Sequence, residues 1–187
     1  MNANRLAGYI LTGGKNSRMG GEIKFFLQKE GQTFGQILLE KLRGLDRTYL
    51  SVNEEEPYRH LGVPMVVDAY DAIGPMGGIL SGLQALPDTD LFVTGSDMPF
   101  WGKELMEDLI LAYEKKPVLT LPILNGRIQP LPGIYPAGLL PLLKQQVQAG
   151  NYRLRDLLHS APFQTVETED PGIRKNINTP EDCRRYL

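Results

Sequence analysis

The residues best suited to chemistry lie in one short segment, LTGGKNSRMGGEIK, which begins at Leu11 and ends at Lys24. The segment follows an apolar run, Ala7 to Leu11, that is typical of a buried strand. Because glycine has no Cβ, the Gly-Gly pair after this run lets the backbone approach phosphate oxygens closely. Arg18 and Lys24 add positive charge to the same loop. The segment therefore predicts a binding site for a polyanion such as a nucleoside triphosphate.

A second candidate is the turn Gly95-Ser96-Asp97-Met98-Pro99, which comes directly after the apolar run Leu91–Thr94. A carboxylate at the end of a central strand is well placed to hold a hard divalent cation. Pro99 helps to fix the turn, because proline cannot extend strand pairing inside a sheet. From the residues alone, however, Asp97 is better interpreted as an N-cap for a helix that begins near Gly102.

Polar and glycine residues also follow two other apolar runs. Asn53 comes after Thr48–Val52, where it could contact a nucleotide or form an Asx turn. Asp68 follows a third run, and Gly77 and Gly78 then open a helical segment. These glycines would allow a base or ribose to approach closely, or they would simply permit tight packing of the helix on the sheet.

The segment Asn176-Ile177-Asn178-Thr179-Pro180 combines two signals. Alternate positions place both asparagine amides on the same side of an extended chain. Thr179 and Pro180 predict the start of a helix, with Asp182 at the capping-box position. The asparagines are therefore candidate ligand contacts, and the residues after them are structural.

The elements that must position these residues alternate in kind. The predicted strands are Ala7–Leu11, Thr48–Val52, Met65–Val67, Leu91–Thr94, Val118–Leu121, Leu131–Tyr135 and Phe163–Val166. The predicted helices are Thr33–Leu45, Gly77–Leu86, Lys103–Lys115, Ala137–Gln148, Tyr152–His159 and one that begins at Pro180. Alternation of this kind predicts βαβ units and a largely parallel sheet. The prolines in Leu131–Tyr135 favour an edge strand or a bulge. Ligands of such sheets bind outside the carboxyl ends of the strands.

Length and composition exclude several classes of protein. The 187 residues fit one domain, and the 42% hydrophobic and 22% charged residues are typical of a globular protein. A net charge of −2 gives no basic field for nucleic acid. The single cysteine, Cys183, cannot form an intramolecular disulfide, and His60 and His159 lack metal-ligand spacing. No apolar stretch of signal or membrane-spanning length precedes the first strand, so we expect a cytoplasmic protein without a membrane partner.

Taken together, the motifs resemble those of the molybdenum cofactor guanylyltransferases, a family of nucleotidyltransferases. The shared features are Gly-Gly followed by Arg-Met-Gly and a lysine, Ser-Asp-Met-Pro after a strand, Asp with Gly-Pro-Met-Gly-Gly-Ile, and Asn-x-Asn-Thr-Pro. The resemblance implies an α/β, Rossmann-like three-layer fold of the nucleotide-diphospho-sugar transferase kind. It implies one domain, in which residues 1–100 form a nucleotide-binding half and residues 101–187 an acceptor half.

The same resemblance implies roles for individual residues. Arg18, Lys24 and Asp97 are the expected catalytic residues, and Asp97 is also the expected ligand of Mg²⁺. The expected nucleotide and substrate contacts are Leu11, Thr12, Gly13, Gly14, Asn53, Asp68, Gly78, Asn176 and Asn178. The stretch from Gln129 to Tyr135 resembles one that lines the pterin side in relatives, and Arg153 and Arg155 are either ligands of a pterin phosphate or solvated helix charges.

The implied reaction is transfer of GMP from GTP to the terminal phosphate of molybdenum-molybdopterin, with Mg²⁺ as cofactor and pyrophosphate as the second product. Molybdopterin-inserting proteins and molybdoenzyme chaperones are the implied protein partners. A cytidylyltransferase for the same pterin, or another nucleotidyltransferase of the same fold, is an alternative. A second alternative is a non-catalytic GTP-binding adaptor, because Ile23 and Gln129 replace an aspartate and a histidine that are usual in relatives.

Overall fold

An eight-stranded β-sheet forms the frame of the molecule. The computed structural model describes residues 5–13, 18–19, 22–70 and 72–186. The strands are β1 Arg5–Leu11, β2 Thr48–Val52, β3 Met65–Val67, β4 Thr89–Gly95, β5 Leu119–Leu124, β6 Arg127–Ile128, β7 Gly133–Tyr135 and β8 Phe163–Glu167. From one edge, the order is β3, β2, β1, β4 and β7; β5 follows, paired with β7, β6 and β8. Only β6 and β7 run against the other strands of this sheet, so the predicted, largely parallel arrangement is confirmed.

Helices cover both faces of the sheet. They are α1 Phe34–Lys41, α2 Pro75–Ala85, α3 Lys103–Lys115, α4 Leu140–Gln148 and α5 Pro180–Tyr186. One apolar cluster joins α2 and α4 to residues such as Tyr9 and Val93, and a second joins α1 and α3 to Ile10 and Phe92. Neighbouring positions on a strand point to opposite faces, so each central strand contributes to both clusters. The fold is the predicted three-layer α/β/α arrangement.

Shorter elements connect these layers. Two-residue ladders join Arg18–Met19 to Glu22–Ile23 and Gln28–Lys29 to Gln32–Thr33. The 3₁₀-helices are Lys24–Phe26, Leu42–Gly44, Glu56–Leu61, Ala137–Leu139, Leu154–His159 and Pro171–Arg174. Three predicted helices are therefore partly or wholly 3₁₀. Leu42–Gly44 follows α1, Ala137–Leu139 precedes α4, and the segment near Tyr152 forms only Leu154–His159.

The strand predicted in Leu131–Tyr135 is present as β7, but its expected position at an edge is wrong. β7 lies inside the sheet, where it pairs with β4 on one side and with β5 on the other. Pro130 and Pro132 precede the paired residues, so neither proline has to donate a ladder hydrogen bond.

Within the described part of the chain, no helix is both long and apolar enough to cross a membrane.

Candidate active site

A cavity of about 380 Å³ opens at the carboxyl ends of β1, β2 and β3. Its wall includes predicted site residues at or just after the end of each of these strands and in α2: Leu11, Gly13, Asn53, Asp68 and Gly78. The Asp68 carboxylate accepts a hydrogen bond of 2.5 Å from the Ser51 hydroxyl, which fixes its orientation. We call this space the nucleotide cavity. Its position agrees with the rule that ligands bind where parallel strands end.

Two glycines leave room that any side chain would fill. A Cβ on Gly13 would lie 2.3 Å from Oδ1 of Asn53. A Cβ on Gly78 would lie 2.7 Å from both Cδ2 of Leu11 and Oγ of Ser51. Both positions therefore need glycine for the cavity wall to close as it does, and Gly78 is required for helix packing as well as for space.

Thr12 has a different place from the one expected. Its N–H donates to the Ser51 carbonyl at 3.0 Å, and its hydroxyl donates to the same oxygen at 2.6 Å. The side chain is buried, and the residue does not line the nucleotide cavity. The Thr12 amide is thus committed to the sheet, and the backbone that faces the cavity is that of Gly13.

Lys24, Asp97 and Asn178 meet although they are far apart in the sequence. The Lys24 ammonium donates to Oδ1 of Asn178 at 2.8 Å and lies 3.9 Å from Oδ2 of Asp97. Lys24 follows the first loop, Asp97 lies in the turn after β4, and Asn178 precedes α5. The Ile177 N–H donates to the Asp97 carbonyl at 3.0 Å, which ties the last two segments together.

Burial shifts the pKa values of both charged residues in this cluster, Lys24 and Asp97. The Lys24 side chain is only 3% exposed, and burial lowers its pKa while Asp97 acts in the opposite direction. Burial raises the pKa of Asp97, and Lys24 again opposes the shift.

Asp97 does not cap α3, so the N-cap interpretation is wrong. The helix is preceded by Gly102, whose N–H donates to Asp170 at 2.6 Å. The carboxylate is instead directed towards Lys24.

Asn178 of this cluster lines a second cavity, of about 750 Å³. Its polar lining includes Gln129, Arg153, Arg155, Arg174, Asn176 and Asn178, and Pro75 lines both cavities. We call it the acceptor cavity. Both asparagines of the Asn-x-Asn motif face it, as the alternation predicted.

Thr179 and Asp182 form the expected capping box at the start of α5. The Asp182 N–H donates to the Thr179 hydroxyl, and the Thr179 N–H donates to the Asp182 carboxylate.

Two expected site residues cannot be placed. Gly14 and the side chain of Arg18 lie outside the described residues; the backbone of Arg18 pairs with that of Ile23. Two other residues were not expected. Ser51 orients Asp68, and Arg174 adds a cation to the acceptor cavity. Nothing in the sequence distinguished either one, since a serine inside a strand and an arginine in a polar segment are ordinary.

The residues present fit a magnesium ion that arrives with a nucleotide. Across residues 5–13, 18–19, 22–70 and 72–186, no three His, Cys, Asp or Glu side chains are grouped so that they could hold a metal ion by themselves. Mg²⁺ is usually held by one or two carboxylates together with substrate phosphates and water. Asp97 is a single carboxylate, 25% exposed and 3.9 Å from the Lys24 ammonium group, and it suits that kind of site.

Comparison with known proteins settles the family. The model of the MobA-like NTP transferase domain matches residues 8–166. The chain belongs to this family. It is therefore a nucleotidyltransferase, and the resemblance drawn from its motifs is confirmed.

Relatives of known name agree with this assignment. A probable molybdenum cofactor guanylyltransferase from Clostridium perfringens strain SM101 is 30% identical over 180 residues, which cover 91% of this chain and 90% of that protein. One from Aquifex aeolicus is 27% identical over 182 residues, covering 96% and 89%. The crystal structure of molybdopterin-guanine dinucleotide biosynthesis protein A from Archaeoglobus fulgidus has the same fold, with a TM-score of 0.79 at 22% identity over 96% of this chain and 95% of that one.

Proposed function

We propose that this MobA-like transferase moves GMP from GTP to the terminal phosphate of molybdenum-molybdopterin. The observation that carries the proposal is the Lys24–Asp97–Asn178 cluster. Asn178 lines the acceptor cavity, and Asp97 lies two residues after Gly95, which pairs with Leu11 in the wall of the nucleotide cavity. Relatives that cover nearly the whole chain are named as guanylyltransferases for the molybdenum cofactor, and this supports the choice of substrates.

In this proposal the acceptor phosphate attacks the α-phosphorus of GTP. A new P–O bond forms, the bond from the α-phosphorus to the bridging oxygen breaks, and pyrophosphate leaves with that electron pair. A phosphate monoester is already largely ionised near pH 7, so the enzyme needs no general base. Its task is to position two anions and to offset their charge.

The residues divide this task between them. The backbone of Gly13 and the side chains of Asn53 and Asp68 bind the nucleotide in the first cavity. Lys24 places its ammonium group beside the reacting phosphates. A preorganised charge stabilises the transition state most strongly where water is excluded. Asp97 would hold Mg²⁺ together with the nucleotide phosphates, and the bound ion would neutralise charge on the α-phosphate and pyrophosphate.

The acceptor cavity supplies the second half of the site. Arg153, Arg155 and Arg174 line it together with Asn176, and guanidinium groups suit a phosphate acceptor because they can donate two parallel hydrogen bonds. Gln129 lies in the same wall. An amide can donate and accept hydrogen bonds to the edge of a pterin ring, although it cannot supply a positive charge. The dinucleotide product would then pass to molybdopterin-inserting proteins or molybdoenzyme chaperones.

The test is to identify the product. Purified enzyme, molybdenum-molybdopterin, GTP and Mg²⁺ should yield molybdopterin guanine dinucleotide by mass spectrometry, with one pyrophosphate released per dinucleotide. Asp97→Asn should lower kcat at least about 100-fold with its melting temperature close to that of the wild type. Asp108→Asn is the matched control, because Asp108 is exposed on α3. Full activity of Asp97→Asn would contradict the role of Asp97, and GTP binding without product would favour the adaptor alternative.

A further inference from the structure

Lys41 connects the end of α1 to the turn that follows Asp97. Its ammonium group donates to the Pro99 carbonyl at 2.5 Å and also to the Trp101 carbonyl. It lies over the Trp101 ring, 4.7 Å from the centroid. Trp101 is itself fully buried, and its indole N–H donates to the Thr94 hydroxyl at 3.0 Å. The lysine thus satisfies two carbonyl groups that point inward from a tight turn, where unpaired carbonyls would be costly.

Asp170 holds the same turn from the other side. Its carboxylate accepts from the Gly102 N–H at 2.6 Å and from the Gly172 N–H at 2.7 Å. It also attracts the Lys41 ammonium group electrostatically. Gly172 packs so closely that a Cβ there would lie 2.2 Å from the Phe100 carbonyl oxygen. The turn at 99–102 is therefore fixed between α1 and the segment that begins at Asp170.

These contacts hold the two segments that carry Asp97 and Asn178, the partners of Lys24. The turn at 99–102 continues from Asp97, and the segment from Asp170 continues to Ile177 and Asn178, where Ile177 N–H donates to the Asp97 carbonyl. Moving the turn would therefore move the Asp97 carboxylate relative to Lys24. A displacement of about 1 Å in a catalytic group can cost about 100-fold in rate.

We propose that Lys41 is a positioning residue for nucleotidyl transfer, which holds the turn carrying Asp97 through the carbonyl groups of Pro99 and Trp101. This inference rests on the proposed function, since it concerns the same site. Lys41 lines neither the nucleotide cavity nor the acceptor cavity, and its ammonium group is bound to the carbonyl groups of the turn. It therefore acts through the position of Asp97. An apolar side chain of similar length would fill the space but would leave both carbonyl groups unpaired.

The test compares Lys41→Met with the wild type and with Lys103→Met, which removes an exposed lysine of α3 that pairs with Glu107 at 3.7 Å. Lys41→Met should lower kcat about 10- to 100-fold, as expected when a group that orients a metal ligand is lost. The KM for GTP should stay within about threefold, because the nucleotide cavity is unchanged. Amide exchange of peptides covering 95–102 should speed up about tenfold, while exchange in α4 should not change.

Other outcomes would overturn the proposal. If Lys41→Met has the kcat of the wild type, or the exchange rate of 95–102 is unchanged, Lys41 does not position Asp97. A kcat that falls only in proportion to the folded fraction would show a purely structural role. If Lys41→Met does not fold, Asp170→Asn takes its place, because it keeps the shape but loses an acceptor for one of the two amides. If the wild type releases no pyrophosphate, the proposed function fails, and the exchange rates still decide whether Lys41 holds the turn.

Discussion

Gly13→Ala is the substitution that probes the nucleotide cavity most directly. The new Cβ would lie 2.3 Å from Oδ1 and 3.3 Å from Cγ of Asn53, and 3.2 Å from Oδ2 of Asp68. Non-bonded carbon atoms prefer separations of about 3.5–4.0 Å, so the Asn53 amide must move. Asn53 is exposed, and its side chain can rotate away at a cost of about 1 kcal/mol. The fold should therefore survive, with a free energy of unfolding within about 1 kcal/mol of that of the wild type.

The cost to nucleotide binding should be larger. Rotation withdraws the Asn53 amide from the nucleotide, and the new methyl group takes space next to Asp68. The loss of two hydrogen bonds, at about 0.5–1.5 kcal/mol each, amounts to about 1–3 kcal/mol. This corresponds to a Kd for GTP raised about 5- to 150-fold.

Isothermal titration calorimetry with GTP gives this Kd, and thermal unfolding gives the stability. Gly8→Ala is the matched control: its Cβ would lie 2.7 Å from the Thr48 hydroxyl, but Gly8 is in the middle of β1 and does not line the nucleotide cavity. It should lose about 1–3 kcal/mol of stability from overpacking and keep its affinity for GTP. The reasoning is refuted if Gly13→Ala binds GTP as tightly as the wild type does.

Three further predictions concern the charges of the site. Lys24→Ala should lower kcat about 10²- to 10³-fold in a pyrophosphate-release assay, because a preorganised charge is lost; a rate near that of the wild type would remove Lys24 from the catalytic residues. Since burial lowers the pKa of Lys24 from its ordinary 10.5, the ammonium is present below the lowered pKa and is lost above it. The kcat/KM for GTP should then decline with rising pH before 10.5, and a decline only at or above 10.5 would contradict this. Arg153→Met should raise the KM for molybdopterin about 10- to 100-fold and leave that for GTP unchanged; an unchanged KM for molybdopterin would mean that Arg153 is only a solvated charge.

Local signals predicted much of this fold. Thr48–Val52 and Met65–Val67 have the predicted bounds, because each is a short apolar run that ends at a polar residue. Lys103–Lys115 also matches, since its apolar residues recur at helical spacing. The place of β7 could not be predicted in the same way. Whether a strand lies at an edge depends on its neighbours, and the prolines near β7 precede the residues that pair.

The candidate site was predictable where its residues stand in compact motifs. Asp97, Asn53 and Gly78 each follow an apolar run or open a helix, so their place at one edge of the sheet follows from topology. The role of Lys41 could not be found in that way, because its carbonyl partners lie 58 and 60 positions further along the chain. The hydrogen bond of the Thr12 amide could not be predicted for a related reason, since its acceptor, the Ser51 carbonyl, belongs to β2.

The most direct measurement is pyrophosphate release with molybdenum-molybdopterin, Mg²⁺ and each of GTP, CTP, ATP and UTP in turn, each repeated without the pterin. The proposed function predicts release with GTP that depends on the pterin, and little or none with the other three nucleotides. Release with CTP in place of GTP would contradict the guanylyl assignment and favour a cytidylyltransferase of the same fold. No release with any nucleotide, although GTP binds, would contradict the catalytic role itself.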